Sequence, residues 1–492
     1  FPDALDPTGA DDGGQARAAA LALLRSLLLV TGGPGTGKTT TITRLLLLLI
    51  AQARDAGVPS PRIALAAPTG RAAERMAESL RNAIAKLRGT AGVDVALCNG
   101  LPVEARTLHR LLGSIPDSPR FRFDADNRLP FDVIVVDEAS MVDLPLMCKL
   151  VEAVADGARL ILLGDRDQLP SVEAGDVLAA IVDATAIEPT AIAAGTTSGS
   201  RAADAMCAAD AKRLVPLLGE VPRLPGPSKP DSPLSGHRAQ LHRGYRQSEA
   251  LDLGPLATAA RDGDADTALA LLRSGQLAGV HFHEELHDPL AGATRDSLLA
   301  AWRAIAAADD PATAIAQAGR LRLLTALRDG PQGAAPLNAR IEEALAGSHR
   351  APYFHGRLLL ITENSYRHGL FNGDIGVCLR AQGRGEDGAT VAWFAGGGDV
   401  RGFHPAALPS HGGAFAMTVH KAQGSEFDDV WLLLPRQDAR TLSRELLYTA
   451  LTRARSALHL CASEAVLRAS LARHAVRVSG LARRLGARTP SA

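Results

Sequence analysis

The sequence predicts an α/β protein of two domains, each built on a parallel sheet, with a small β-barrel inserted into the second. Three observations predict it. An apolar run at residues 27–30 enters Gly32-Gly33-Pro34-Gly35-Thr36-Gly37-Lys38-Thr39 and then a helical pattern over 39–56. A second apolar run at 131–136 stops at two acids, Asp137 and Glu138, as a strand buried on both faces of a parallel sheet does. After an Ala-, Thr-, Ser-, Gly- and Pro-rich stretch from about 183 to 236, new apolar strands begin at 321–325, 358–361, 416–419 and 430–434. At 492 residues the chain is also too long for one compact core.

The glycine-rich stretch satisfies G-x-x-x-x-G-K-[ST] with Gly32, Gly37, Lys38 and Thr39 in place. A strand, a tight glycine turn and a helix N-terminus together aim several backbone N–H groups at a phosphate chain. Lys38 is placed to reach the β- and γ-phosphates, and the Thr39 hydroxyl to ligate Mg²⁺. Gln15, one helix earlier, carries an amide able to read an adenine edge. Residues 63–67 read as the next strand, leading into Thr69 and a long helix, and residues 105–110 give a similar polar turn with Thr107 and His109. Such turns at strand ends can hold phosphates of a polynucleotide. Residues 113–130, with Pro116, Pro119, Phe121 and Phe123, interrupt the alternation and read as an inserted hairpin or loop.

Asp137 is placed to hold the metal through water and Glu138 to activate an attacking water. The strand at 160–163 leads to Gln168, whose amide can sense the γ-phosphate. These pieces make one RecA-like P-loop NTPase domain over residues 1–190, followed by a linker over 191–240. A second RecA-like domain covers 241–492, with short alternating strands over 353–408 as the inserted barrel. Its polar strand end carries Thr418, His420 and Glu426, and a helix over 445–455 carries Arg453. A cleft between two domains needs a cation from the far side to meet charge spreading over the γ-phosphate. Arg246 and Arg453 are the candidates, because the planar guanidinium meets phosphate in two places.

Bulk properties exclude more than they assign. Lys+Arg and Asp+Glu both total 53, so any DNA contact comes from local patches. Five scattered cysteines without a C-x-x-C pair argue against zinc ribbons and disulfide frameworks, and fit a reducing cytoplasm. No apolar run approaches the roughly 20 residues a membrane span needs. His283-Glu284-Glu285-Leu286-His287 matches the zinc-protease pattern, but His281-Phe282-His283 alternates like a strand and Pro289 follows at once.

The ordered stretches GGPGTGKTTT (32–41), VVDEASMVDLPLM (135–147), GDRDQLPSVEAG (164–175), AMTVHKAQGSEFD (416–428) and RELLYTALTRAR (444–455) resemble superfamily 1 helicases, and most closely the RecD family of exodeoxyribonuclease V alpha subunits. The resemblance implies ATP and Mg²⁺ as cofactors and 5′→3′ movement on single-stranded DNA at a duplex end, with RecB and RecC as partners. It implies nucleotide contacts from Gln15, Gly32, Gly33, Pro34, Gly35, Thr36, Gly37, Lys38, Thr39, Thr40 and Glu426, and metal contacts from Thr39 and Asp137. Lys38, Glu138, Gln168, Arg246 and Arg453 would serve catalysis, while Thr69, Thr107, His109, Thr418 and His420 would line the DNA. Residues 113–130 correspond to a pin-like insertion and 353–408 to an SH3-like barrel. With no nuclease motif in the sequence, nuclease activity is expected of another subunit.

Overall fold

The computed structural model describes residues 13–88, 94–115, 118–171, 173, 175–185, 208–218, 234, 236–242, 251–365, 367–380, 389–396, 399–475, 477 and 479–485. Helix α1 (Gly14–Leu24) precedes strand β1 (Leu27–Gly32), which delivers the chain to helix α2 (Lys38–Asp55). Strand β2 (Ile63–Ala67) leads into helix α3 (Gly70–Arg88), and β3 (Arg106–Thr107) into a short helical turn. Then follow β4 (Val133–Val136), α4 (Leu144–Ala153), β5 (Arg159–Gly164) and α5 (Val177–Ala184). With β6 (Arg238–Leu241) these strands form a sheet in the order β3-β2-β4-β5-β1-β6, parallel throughout. Both faces are apolar: Leu28 and Val30 pack with α1 and α2, while Leu29, Ile134 and Val136 pack on the opposite side.

A second parallel sheet has the order β14-β8-β15-β16-β7, from β7 (Val280–Glu284), β8 (Leu321–Thr325), β14 (Ala416–Thr418), β15 (Phe427–Leu433) and β16 (Ala454–Ala462). Helices α6 (Gly292–Ala306), α7 (Ala334–Ala346), α8 (Arg444–Leu451) and α9 (Glu464–Ala472) contribute Trp302, Ile341, Leu446 and Leu467 to its core. Between β8 and β14 lies an antiparallel sheet in the order β12-β11-β10-β9-β13, built from β9 (Leu358–Ile361), β10 (Ile375–Arg380), β11 (Thr390–Gly396), β12 (Asp399–Phe403) and β13 (His411–Gly413).

Four expectations need correction. The inserted unit is an open sheet among the described residues: β12 pairs only with β11 and β13 only with β9, so the SH3-like barrel expected over 353–408 does not close. Residues 358–361, expected beside the parallel strands, lie inside this antiparallel sheet. Their side chains alternate between Leu358 and Leu360 in the large core and Leu359 and Ile361 in a small one, which explains the unbroken apolar run. Residues 238–240, expected within the linker, and Leu241, expected to open the second domain, form β6, paired in parallel with β1 at the sheet edge. The helix expected over 445–455 ends at Leu451, and Ala454 already begins β16.

His281-Phe282-His283 does form a strand, and Glu285 turns away from it at φ 62°. Residues 113–130 leave the Leu108–Leu112 turn and return by an antiparallel bridge from Ser114 to Phe121, with Phe121 and Phe123 against the first sheet's core. Among the described residues no helix is long and apolar enough to cross a membrane.

Candidate active site

The site is assembled where the C-terminal ends of the first sheet's strands meet the second sheet's helix α8. Gly37 caps α2 at φ 79°, a left-handed conformation that glycine adopts without penalty. Around it the loop folds over its own lysine: Lys38 Nζ donates to the carbonyls of Gly32 and Gly33 at 2.6 and 3.0 Å. Thr36 adds a hydroxyl bond to the Gly33 carbonyl at 2.8 Å. A Cβ on Gly33 would stand 2.9 Å from the Tyr448 hydroxyl, so only glycine admits that close approach.

Asp137 and Glu138 leave the end of β4. Asp137 is held by its own N–H on the Ala66 carbonyl, and its Oδ1 accepts from the Glu138 N–H at 2.8 Å. Glu138 sits at φ 51°, a strained conformation for a residue with a Cβ and of the kind that concentrates at functional sites. Burial, then the neighbouring Glu138, pushes the Asp137 carboxyl upward, while Lys38 and Arg75 pull it back. A half-buried acid pair of this kind favours a bound cation. The available oxygens of Thr39 and Asp137 suit a hard divalent ion.

One cavity of about 440 Å³ is lined by Lys38, Thr39, Asp137, Glu138, Gln168, Glu426 and Arg453, together with Pro34, Gly35, Thr36, Gly37 and Thr40. Arg453 is buried just past α8 and is aimed by two carbonyls, with Nε on Thr449 at 2.9 Å and a terminal nitrogen on Ser425 at 3.2 Å. Burial lowers its pKa, and the carboxylates of Glu138, Glu426 and Asp165 favour its charged form. Glu426 pairs with Arg75 of α3 at 3.2 Å. Gln15 lies behind the cavity, where its Oε1 accepts from Arg44, a lining residue, at 3.1 Å. Arg246 lies outside the described residues.

None of Thr69, Thr107, His109, Thr418 and His420 lines this cavity. Thr69 follows β2 and Thr107 ends the neighbouring β3, and they cap the next helical turns by accepting from Ala72 N and Arg110 N. His109 is exposed beside the Phe121 ring, 5.9 Å between centroids. On the second sheet Thr418 ends the edge strand β14 and caps the turn that holds His420. The two edges are joined by the loop at 371–373: the Phe371 ring lies against Gly70, the Gly373 carbonyl accepts from Arg71 at 3.0 Å, and Asn372 accepts from Lys421 at 3.1 Å.

Sequence reasoning missed several residues that shape the site. Asp165 is buried between Lys38 and the second sheet, accepts from Tyr448 at 3.0 Å and Gln168 at 3.3 Å, and is pushed upward by burial. Tyr448, Thr449, Gln423 and Arg75 all bridge the two sheets. Asp165, Gln423, Tyr448 and Thr449 lie inside the stretches 164–175, 416–428 and 444–455 that the sequence singles out, whereas Arg75 carried no local signal.

A family model described as an AAA domain matches residues 15–174, and one described as a UvrD-like helicase C-terminal domain matches residues 413–461. The "RecBCD enzyme subunit RecD" of Mycobacterium tuberculosis is 43% identical over 495 residues, covering 98% of this chain and 74% of that protein. The chain belongs to the RecD family. Its Haemophilus influenzae member is 33% identical, over 95% of this chain and 71% of that protein. The "ATP-dependent RecD2 DNA helicase" of Deinococcus radiodurans is 29% identical, over 87% of this chain and 46% of that protein. Among solved structures, Bacteroides Pif1 bound to single-stranded DNA covers 91% of each chain at 16% identity and a TM-score of 0.43. RecD membership and the two domain matches place the chain among superfamily 1 helicases, which use a nucleotide with a divalent metal.

Proposed function

We propose that this RecD-family chain is an ATP-driven, 5′→3′ single-strand DNA translocase, the alpha motor of a RecBCD exonuclease working at duplex ends with RecB and RecC in the cytoplasm. The observation that carries the reading is the shared cavity: Arg453, delivered by α8, lines the same space as Lys38, Asp137 and Glu138 of the first sheet.

In this reading the glycine loop and the α2 N-terminus receive the triphosphate of ATP. Lys38 leaves the Gly32 and Gly33 carbonyls for the β- and γ-phosphates. Thr39 and Asp137 would hold Mg²⁺, which when bound neutralises phosphate charge. Glu138 takes a proton from the attacking water, Gln168 reads the γ-phosphate, and Arg453 meets the charge that spreads over it in the transition state. Arg246 is assigned as the second arginine. Gln15 acts at the base edge through Arg44, and Glu426 meets the nucleotide after releasing Arg75.

Thr69, Thr107 and His109 on one sheet and Thr418 and His420 on the other supply the strand track, with grip alternating as the cleft opens and closes. The first motor domain spans residues 1–190 and includes β6, and the second spans 251–492 with the antiparallel insertion at 358–413. Strand displacement on tailed duplexes of opposite polarity, with and without RecB and RecC, tests the reading. Unwinding only from 5′ tails supports it, and unwinding from 3′ tails rejects the polarity.

A further inference from the structure

Leu169 belongs to the first sheet's loop but is buried in the second sheet's core, the cluster that also holds Leu446 and Ala450 of α8. Its backbone is held there from both sides. Leu169 N–H donates to Thr449 Oγ1 at 2.8 Å, and Gln423 Nε2 donates to the Leu169 carbonyl at 3.0 Å, both among buried atoms. Gln168, next along the chain, lines the cavity with Arg453. Arg453 in turn hangs from the Thr449 carbonyl at 2.9 Å, and Gln423 directly follows the turn that carries Thr418 and His420.

We propose that Thr449 and Gln423 are positioning residues that clamp Leu169 and so transmit the response of Gln168 to Arg453 and to the strand-end turn at 418–422. The inference rests on the reading that the cavity takes ATP. A backbone displacement of Gln168 pulls on Leu169, because the planar peptide between them leaves only φ and ψ to absorb the movement. Releasing Leu169 would strand a buried N–H and a buried carbonyl, and each is expensive to leave unpaired. The loop therefore moves with α8 and the 418–422 turn rather than past them. The clamp ties γ-phosphate sensing to the arginine on one arm and to the DNA track on the other.

The test compares Thr449→Val, Thr449→Ser and Gln423→Ala in the full chain. DNA-stimulated ATP turnover and base pairs opened per ATP are measured, with melting curves for each variant. Valine removes the acceptor at nearly constant volume. Its expected effect is a loss of kcat of about tenfold, with the ATP KM within about twofold, and fewer base pairs per ATP. Serine should restore both, and Gln423→Ala should repeat the valine pattern. Combined with Gln168→Ala, Thr449→Val should add no further loss. Wild-type coupling in the valine variant, equal losses in valine and serine, or multiplying losses with Gln168→Ala would overturn the clamp. Should the valine variant not fold, the KM-against-kcat split of Gln423→Ala decides by the same criteria. A wild-type protein that hydrolyses no ATP would instead sink the reading beneath the proposal, and the clamp with it.

Discussion

The hydroxyl of Tyr448 donates to Asp165 Oδ2 at 3.0 Å, joining the second sheet's α8 to the loop after β5 directly beside Gly33. The acceptor is a buried carboxylate whose other donors are Gln168 and the Asp167 N–H. Tyr448→Phe therefore removes one of the bonds that stabilise a costly buried group. Urea denaturation should show a loss of about 1–3 kcal/mol. An unchanged midpoint would mean that this bond does not hold the two sheets together.

Lys38→Ala should abolish DNA-stimulated ATP turnover, by about a hundredfold or more. The lysine has two carbonyl partners in its own loop, so its removal also loosens the glycine turn. Turnover at the wild-type rate would reject the assigned phosphate site.

Glu138→Gln keeps the size and hydrogen-bonding capacity of the side chain but cannot accept the water's proton. Steady-state turnover should fall by about 10²–10⁴-fold. Nucleotide affinity, read by a fluorescent ATP analogue, should hold or tighten, because the amide removes one negative charge beside the triphosphate. A loss of affinity with unchanged turnover would assign Glu138 to binding instead.

Asp176 gives a pH signature of folding. It caps α5 through Ala179 N–H at 3.2 Å, and burial pushes its carboxyl up to about 6. The folded protein therefore holds a proton on Asp176 between about pH 4 and 6 that the unfolded chain has released. The contribution is stabilising below about pH 4 and declines as pH rises to about 6. The stability difference between wild type and Asp176→Asn should fall across that window by at most on the order of 3 kcal/mol, then stay flat. A flat difference across the window would show that Asp176 is not buried as described.

What could be read from the sequence was local. Lys38, Thr39, Asp137 and Glu138 announce themselves because a phosphate loop and an acid-terminated strand are contiguous, and the structure brings all four to one cavity. The strands at 63–67 and 321–325 were legible from unbroken apolar runs and appear with those bounds. Strand β6 was not, since at a sheet edge only Ala239 and Leu241 need burial, and Arg238 and Gln240 read as linker. Strand β16 opens with Ala454, Arg455 and Ser456, the last two exposed, which disguised its start as the tail of a helix. Tyr448, Thr449 and Gln423 act on partners more than 250 residues away in sequence. No periodicity reports contacts of that separation. The closed barrel failed because alternation fixes strands but not whether the first and last of them pair.

The most direct measurement is a structure with ADP, aluminium fluoride, Mg²⁺ and a short single strand, paired with the kinetics of Arg453→Ala. The expected result places the Arg453 guanidinium about 3 Å from a fluoride that Lys38 also contacts. Alongside it, kcat should fall about a thousandfold while the ATP KM changes only a few-fold. An Arg453 turned away from the fluoride, or a variant that loses only affinity, would contradict a catalytic cleft built jointly by the two sheets.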